Sequence, residues 1–456
     1  MLRANSAEAR DVAFQLHPYT NLSKHETDGP LIMSRGQGVR VWDNSGKEYI
    51  EGLAGLWCVA LGYGEKRLID AAKAQMERLA YYHVFNSKSH EPAIDLAERV
   101  LKLMPVPMSK VFFNNSGSEA NDTAVKIIWY YNNAIGRPKK KKLIARHQGY
   151  HGVTVATASL TGLPNNHRDF DLPIANIFHA DCPHLYRFGK PGESEEQFAT
   201  RMAESLDAMI EREGADTVAA FFAEPIMGAG GVIVPPKTYF PKIQQVLKKH
   251  DVMLVADEVI TGFYRTGNAF GTETFEMKPD ILTMAKALSS GYVPISATVI
   301  SEQIYQVLKK QSEKIGVFSH GFTYSGHPVP AAVAVETLKI YEERDMLGQV
   351  RRVSPRFQQG LRKFAAHPIV GEVRGTGLIA GIEVVANKET KERYDAKKGA
   401  GALLAARCQE NGLIVRVLGG DGIALCPPLV INEAEIDELL KRLGKALDET
   451  AERLAA

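Results

Sequence analysis

Leu254-Val255-Ala256-Asp257-Glu258-Val259 and, further on, Ile281-Leu282-Thr283-Met284-Ala285-Lys286 decide the fold. Each is an unbroken apolar run that stops on a charge. Continuous rather than alternating hydrophobicity reads as a strand covered on both faces, the pattern of a parallel sheet between helix layers. Lys286 stands 29 positions after Asp257, about the length of one βα crossover, so both are expected at the carboxyl edge of one sheet. Open α/β folds place their ligands at that edge. Successive strand residues point to opposite faces, so only one of the two acids can aim into a given site. Desolvation there lowers the pKa of an amine, which favours a free nucleophile able to form a Schiff base with a carbonyl.

The same grammar extends outward. Short apolar runs at 111–113, 143–145, 218–223, 252–256, 281–285 and 295–300 alternate with helix-period stretches. They predict one large α/β unit over residues 60–330 with a mostly parallel sheet between helices. The flanks read differently. Residues 1–59 hold short, turn-rich strands such as Gly38-Val39-Arg40-Val41-Trp42-Asp43, closed by Asn44-Ser45-Gly46. Residues 331–456 open with a helix to about 343, pass through a strand at 381–385 and end in a helix at 433–454. The two ends are expected to form one smaller α+β domain.

Composition narrows the partners. The chain has 456 residues, 45% of them hydrophobic, and 55 Lys plus Arg against 53 Asp plus Glu leave a net charge of +2. No whole-molecule field then favours nucleic acid or an acidic membrane surface. Cys58, Cys182, Cys408 and Cys426 form no C-x-x-C pair, and no histidines stand at zinc-ligand spacing, so neither disulfides nor a metal is expected. No stretch approaches a membrane span, and the first residues offer no apolar signal core. These readings favour a cytoplasmic protein. The run Lys139-Lys140-Lys141-Lys142 follows a Gly-Arg-Pro helix stop and reads as a solvated loop.

Two further motifs join Asp257 and Lys286. In Asn114-Asn115-Ser116-Gly117-Ser118-Glu119-Ala120, Ser116 and Glu119 form a capping box, and Ala120, Ala124, Ile127, Ile128 and Tyr131 recur at helical spacing. First-turn amides, the Ser118 hydroxyl and an open backbone at Gly117 make a seat for phosphate. In His147-Gln148-Gly149-Tyr150-His151-Gly152, an aromatic between glycines can lie flat on a planar ligand. A phosphate seat, an aromatic cover, a carboxylate for a ring cation and an amine for an aldehyde together describe pyridoxal 5'-phosphate.

With these residues in place, the chain resembles a class III aminotransferase of the fold type I pyridoxal-phosphate superfamily over nearly its whole length. The most specific stretch is Asp257-Glu258-Val259-Ile260-Thr261-Gly262-Phe263-Tyr264-Arg265-Thr266-Gly267, followed by the strand ending at Lys286. The resemblance implies Lys286 as the Schiff-base and proton-transfer residue, Asp257 against the pyridine nitrogen, Ser116, Gly117 and Ser118 at the phosphate, Tyr150 on the ring and Val259 beneath it. Glu224 matches an acid near cofactor and substrate. Phe322 and Thr323, within His320-Gly321-Phe322-Thr323-Tyr324-Ser325-Gly326, match a segment reaching the neighbouring subunit's phosphate. A homodimer with shared sites follows, with pairing of dimers into tetramers left open.

Leu16-His17-Pro18-Tyr19-Thr20, Gly55-Leu56-Trp57-Cys58 and Leu413-Ile414-Val415-Arg416 resemble the ω-amino acid or amine:pyruvate transaminases within that family. Tyr19, Leu56, Trp57, Phe85, Tyr150 and Ala229 would line an aromatic substrate pocket. Arg416 would grip the carboxylate of an oxo-acid acceptor and swing aside for an apolar amine donor. Decarboxylation, racemisation or amino-group migration stays open, because fold and cofactor do not fix which bond breaks. Gly375-Thr376-Gly377-Leu378-Ile379-Ala380 satisfies a dinucleotide fingerprint but runs into a strand instead of opening a helix, which argues against a dehydrogenase.

Overall fold

Turn chemistry near the N-terminus yields β1 (Met33–Gln37), β2 (Arg40–Asp43) and β3 (Glu48–Glu51), an antiparallel meander, in the computed structural model, which describes residues 3 and 5–455. The continuous apolar runs then become β4 (Lys110–Asn114), β5 (Lys142–Arg146), β6 (Ile177–Ala180), β7 (Val218–Ala223), β8 (Met253–Asp257), β9 (Ile281–Met284) and β10 (Ser296–Ile300). These form a seven-stranded sheet in the order β4-β10-β9-β8-β7-β5-β6. Pairs among β5 to β9 are parallel, while β10 runs antiparallel to both β4 and β9. The carboxyl ends of β4, β5, β7, β8 and β9 therefore share one edge.

Both faces are covered, as unbroken hydrophobicity requires. Phe222 and Val255 pack with Ile127, Ile128 and Ile304 from the helices Gly117–Ala134 and Glu302–Ile315. Their neighbours Phe221 and Leu254 turn the other way, into a core shared with the helices Glu195–Glu213 and Tyr239–Lys249.

The C-terminal part adds β11 (Val370–Thr376), β12 (Ile379–Val384), β13 (Leu413–Ile414), β14 (Arg416–Leu418) and β15 (Gly422–Leu425). Four of these form an antiparallel sheet, β11-β12-β15-β14, whereas β13 leaves it to pair in parallel with β3, Leu413 opposite Ile50. The chain ends thus meet in one hydrogen-bonded sheet. No described helix is long and apolar enough to cross a membrane.

The structure corrects several local readings. The helix expected from residue 331 begins at Pro328, because prolines in a first turn sacrifice no helical hydrogen bond. β6 was missed: Ile177-Phe178-His179-Ala180 mixes polar and apolar residues, as an edge strand does. The Lys139–142 run is not a uniformly solvated loop. Lys140 is buried and donates to the His250 carbonyl, and Lys142 opens β5. The Gly375–Ala380 motif forms the turn between β11 and β12, with Gly377 at φ +57.

Candidate active site

β4 ends beside the start of the Gly117–Ala134 helix. Ser116 Oγ accepts from the Glu119 amide at 3.1 Å, as a cap should. The reciprocal half of the box goes elsewhere: Glu119 Oε2 accepts from the Asn115 amide at 2.7 Å rather than from Ser116. Gly117 and Ser118 follow as first-turn residues whose amides have no carbonyl partner within the helix. An added Cβ at Gly117 would stand 3.1 Å from Val259 Cγ1, a tight contact that Val259 would have to relieve by shifting, so glycine eases the close approach of the helix start to the loop after β8.

Asp257 ends β8, is buried, and takes hydrogen bonds from three sides. Asn121 Nδ2 donates to Oδ2 at 2.8 Å, His151 Nδ1 lies 2.8 Å from the same oxygen, and the Val259 amide donates to Oδ1 at 3.1 Å. Asn121 is itself held by Thr283 of β9, 3.0 Å away, and donates to the His151 carbonyl. Glu258 points away, as alternation demands, and accepts from Thr261 at 2.5 Å and from Thr272 and Gly271. Burial pushes its carboxyl pKa up.

Lys286 follows β9 at φ +46, a left-handed backbone unusual for a side-chain-bearing residue. Tyr341 Oη donates to the Ala287 carbonyl at 2.6 Å, and the Leu61 amide donates to Ser290 Oγ at 2.8 Å, so the turn is pinned on both sides. Desolvation in the cavity lowers the amine's pKa. Its Nζ sits 5.8 Å from the centre of the Trp57 ring, and the Arg416 guanidinium sits 5.0 Å from that ring. Burial also lowers the Arg416 pKa. Among the described residues, no carboxylate lies within salt-bridge reach of Arg416 or Lys286.

Glu224, at the end of β7, accepts from the Tyr150 and Gly228 amides, each at 2.9 Å, and burial raises its pKa. Tyr150 and Tyr19 close the wall, with the Tyr19 hydroxyl accepting from Asn166 at 2.6 Å.

These groups surround one cavity of about 220 Å³. Its lining includes Tyr19, Leu56, Trp57, Gly117, Ser118, Tyr150, Glu224, Ala229, Asp257, Val259, Lys286 and Arg416, all read from the sequence. Ser116, Phe322 and Thr323 are outside that lining. Phe85 lines a second cavity with His320, Gly321 and Ser325. Sequence reasoning missed Asn121 and His151, which brace Asp257. A polar residue on the apolar stripe, four positions after Gly117, was the available signal for the first, and adjacency to Tyr150 for the second.

Comparison with known proteins places this geometry. The family described as Aminotransferase class-III matches residues 22–447. The chain is 53% identical over 441 residues to gamma aminobutyrate transaminase 3, chloroplastic, of Solanum lycopersicum, covering 96% of this chain and 84% of that protein. It is 52% identical over 441 residues to gamma-aminobutyrate transaminase 1, mitochondrial, of Oryza sativa subsp. japonica, covering 96% and 85%. The omega transaminase from Pseudomonas jessenii, solved in complex with PMP, superposes with a TM-score of 0.97 at 52% identity over 99% of each chain.

Proposed function

The chain belongs to the class-III aminotransferases, and from that premise we propose that it moves an amino group from an ω-amino acid or primary amine to pyruvate or a similar oxo acid, in two half-reactions with pyridoxal 5'-phosphate. The observation that carries the substrate class is Arg416. A desolvated guanidinium over an aromatic ring, without an acid of its own among the described residues, is suited to a substrate carboxylate. Gamma-aminobutyrate and oxo acids both carry one, and the names of the plant relatives and the omega transaminase agree with this class.

The cavity residues fit the cofactor. At Gly152 a Cβ would meet Ser118 Oγ and Thr157 Oγ1 at 2.5 Å, so the absence of a side chain keeps the helix start open for a phosphate. Buried polar atoms without a protein partner, Trp57 Nε1 and His151 Nε2, also belong to cavity residues. Gly117 and Ser118 would hold the phosphate, Tyr150 and Val259 the ring faces, Asp257 the ring nitrogen and Lys286 the aldehyde carbon. When bound, the cofactor supplies an electron sink for the carbanion left as the donor carbon loses its proton.

Lys286 Nζ, kept uncharged more readily by desolvation, takes that proton and returns it on the other side of the reaction. Asp257 holds the ring-nitrogen proton, with Asn121 and His151 fixing its orientation. Trp57 and Tyr150 exclude water, which strengthens the pull of Arg416 on a carboxylate.

A second copy belongs to the proposal. Val317 and Tyr324 flank Gly321 and Thr323 in sequence, Phe85 lines one cavity with Val317 and Gly321, and Val317, Tyr324, Phe85 and Tyr82 are exposed, a surface suited to burial in a homodimer with shared sites. All four cysteines are free, which suits a reducing compartment such as the cytoplasm.

Borohydride treatment of the yellow protein tests the core of the reading. The cofactor should become fixed to the peptide holding Lys286, and amine donor alone should bleach one equivalent per site and then stop. Labelling elsewhere, or continued turnover without an oxo acid, overturns it.

A further inference from the structure

Asp11 of the helix Ala7–Phe14, His17 of the following loop and His25 of the helix Leu22–Asp28 converge, although no zinc-type spacing joins them in sequence. His17 Nε2 lies 2.8 Å and His25 Nε2 3.1 Å from the same atom, Asp11 Oδ1. One ligand atom from each residue lies within 4.8 Å of the other two. The imidazole rings lean together with centroids 4.3 Å apart. Asp11 and His25 side chains are 13% and 9% exposed and His17 is 24% exposed, so the trio is mostly enclosed but open on the His17 side.

Two other trios meet the same distance criterion, and each already contains a cation. Glu372 and Glu383, beside His184, are bridged by Arg374, with Arg187 also on Glu383. Asp207 and Glu211, beside His250, are bridged by Lys249. Among the described residues, no lysine or arginine pairs with Asp11, so its negative charge is matched only by imidazole N–H groups.

Two imidazole nitrogens and one carboxylate oxygen are a common ligand set for zinc, and three protein ligands leave a fourth position for water. Tetrahedral bonds of about 2.1 Å imply ligand separations of roughly 3.4 Å. The hydrogen-bonded distances of 2.8 and 3.1 Å would widen by roughly 0.6 and 0.3 Å to reach that separation.

We propose that Asp11, His17 and His25 form a zinc site that clips the N-terminal arm and thereby sets the position of Tyr19. The segment that the site closes, 17–25, carries Tyr19 at φ +50 in the cavity wall, while none of the three ligands lines the cavity. The site therefore acts on the arm and stands apart from the chemistry at Lys286.

The test is calorimetric titration of metal-stripped holoenzyme with zinc chloride alone. One zinc per chain should bind, and cobalt in its place should give the visible bands of tetrahedral ligation. Asp11→Asn and His25→Gln should each weaken zinc binding by at least roughly 100-fold, the upper end of what loss of an outer partner costs. Their melting temperatures without metal should match the parent, which separates lost ligation from lost folding. His250→Gln should leave the isotherm intact. Zinc should also slow tryptic cleavage after the exposed Lys24 in the parent and not in His25→Gln. Absence of binding, binding unchanged in His25→Gln, or loss of binding in His250→Gln overturns the site. Cleavage insensitive to bound zinc overturns the clip.

Discussion

Asp257 faces the cavity with Asn121 and His151 behind it, while Glu258, one residue on, points away to Thr261, Gly271 and Thr272. Strand alternation made that divergence legible before any coordinates, as the end of an apolar run did for Lys286. The braces were not legible, because Asn121 and His151 act through distances that span separate elements. Arg416 carries the residue-scale expectation. Arg416→Ala removes a charge-assisted bond worth about 1.5–3 kcal/mol, so the oxo-acid half-reaction should slow roughly ten- to hundredfold in kcat/KM. The half-reaction of an amine lacking a carboxylate should be nearly unchanged. Stopped-flow measurement of the two separately checks this, and equal losses in both would remove Arg416 from carboxylate recognition.

At the scale of the element, the start of the Gly117–Ala134 helix depends on what is missing beside it. Gly152 sits at φ +137, and any Cβ there would press on Ser118 and Thr157. Gly152→Ala should cost about 1–3 kcal/mol of fit, read as roughly tenfold or greater weakening of cofactor binding in a titration of the apoprotein. The end of β3 offers a pH-dependent case. Glu51 is buried, accepts from the Leu53 amide at 2.9 Å, and burial raises its pKa to about 7. The folded chain therefore binds more protons than the unfolded chain between the ordinary carboxyl pKa and about 7. The stabilisation is complete below that window and is lost as pH rises through it. Glu51→Gln, which needs no proton, should raise the melting temperature relative to the parent more at pH 8 than at pH 5. At about 1.4 kcal/mol per pKa unit the difference is at most roughly 3 kcal/mol. Melting curves at the two pH values decide it, and a difference of opposite sign refutes it.

Across the whole molecule, distant segments are fastened by buried polar contacts. Arg265, in the loop after β8, is 2% exposed and donates from one nitrogen to the carbonyls of Leu378, at 3.0 Å, and Pro427, at 2.6 Å. Arg265→Ala strands both acceptors and should cost about 3 kcal/mol, seen as a lower urea midpoint; an unchanged midpoint would show that water replaces the guanidinium without loss. Apart from the edge strand β6, which was not legible, the strands β4, β5 and β7 to β10 in their chain order, the shared edge of Asp257 and Lys286 and the helix start at Gly117 were determined by the sequence itself. Each rests on local rules: apolar runs, alternation, capping and the length of a crossover. The family resemblance implied one pocket for Tyr19, Trp57 and Arg416, and they do line the cavity of Lys286; the tertiary structure alone decided that Phe85 lines another cavity. It also decided that β13 joins β3, and that Asp11, His17 and His25 share one point. Those meetings depend on packing between segments far apart in the chain, and local periodicity contains no record of which distant surface a side chain will face.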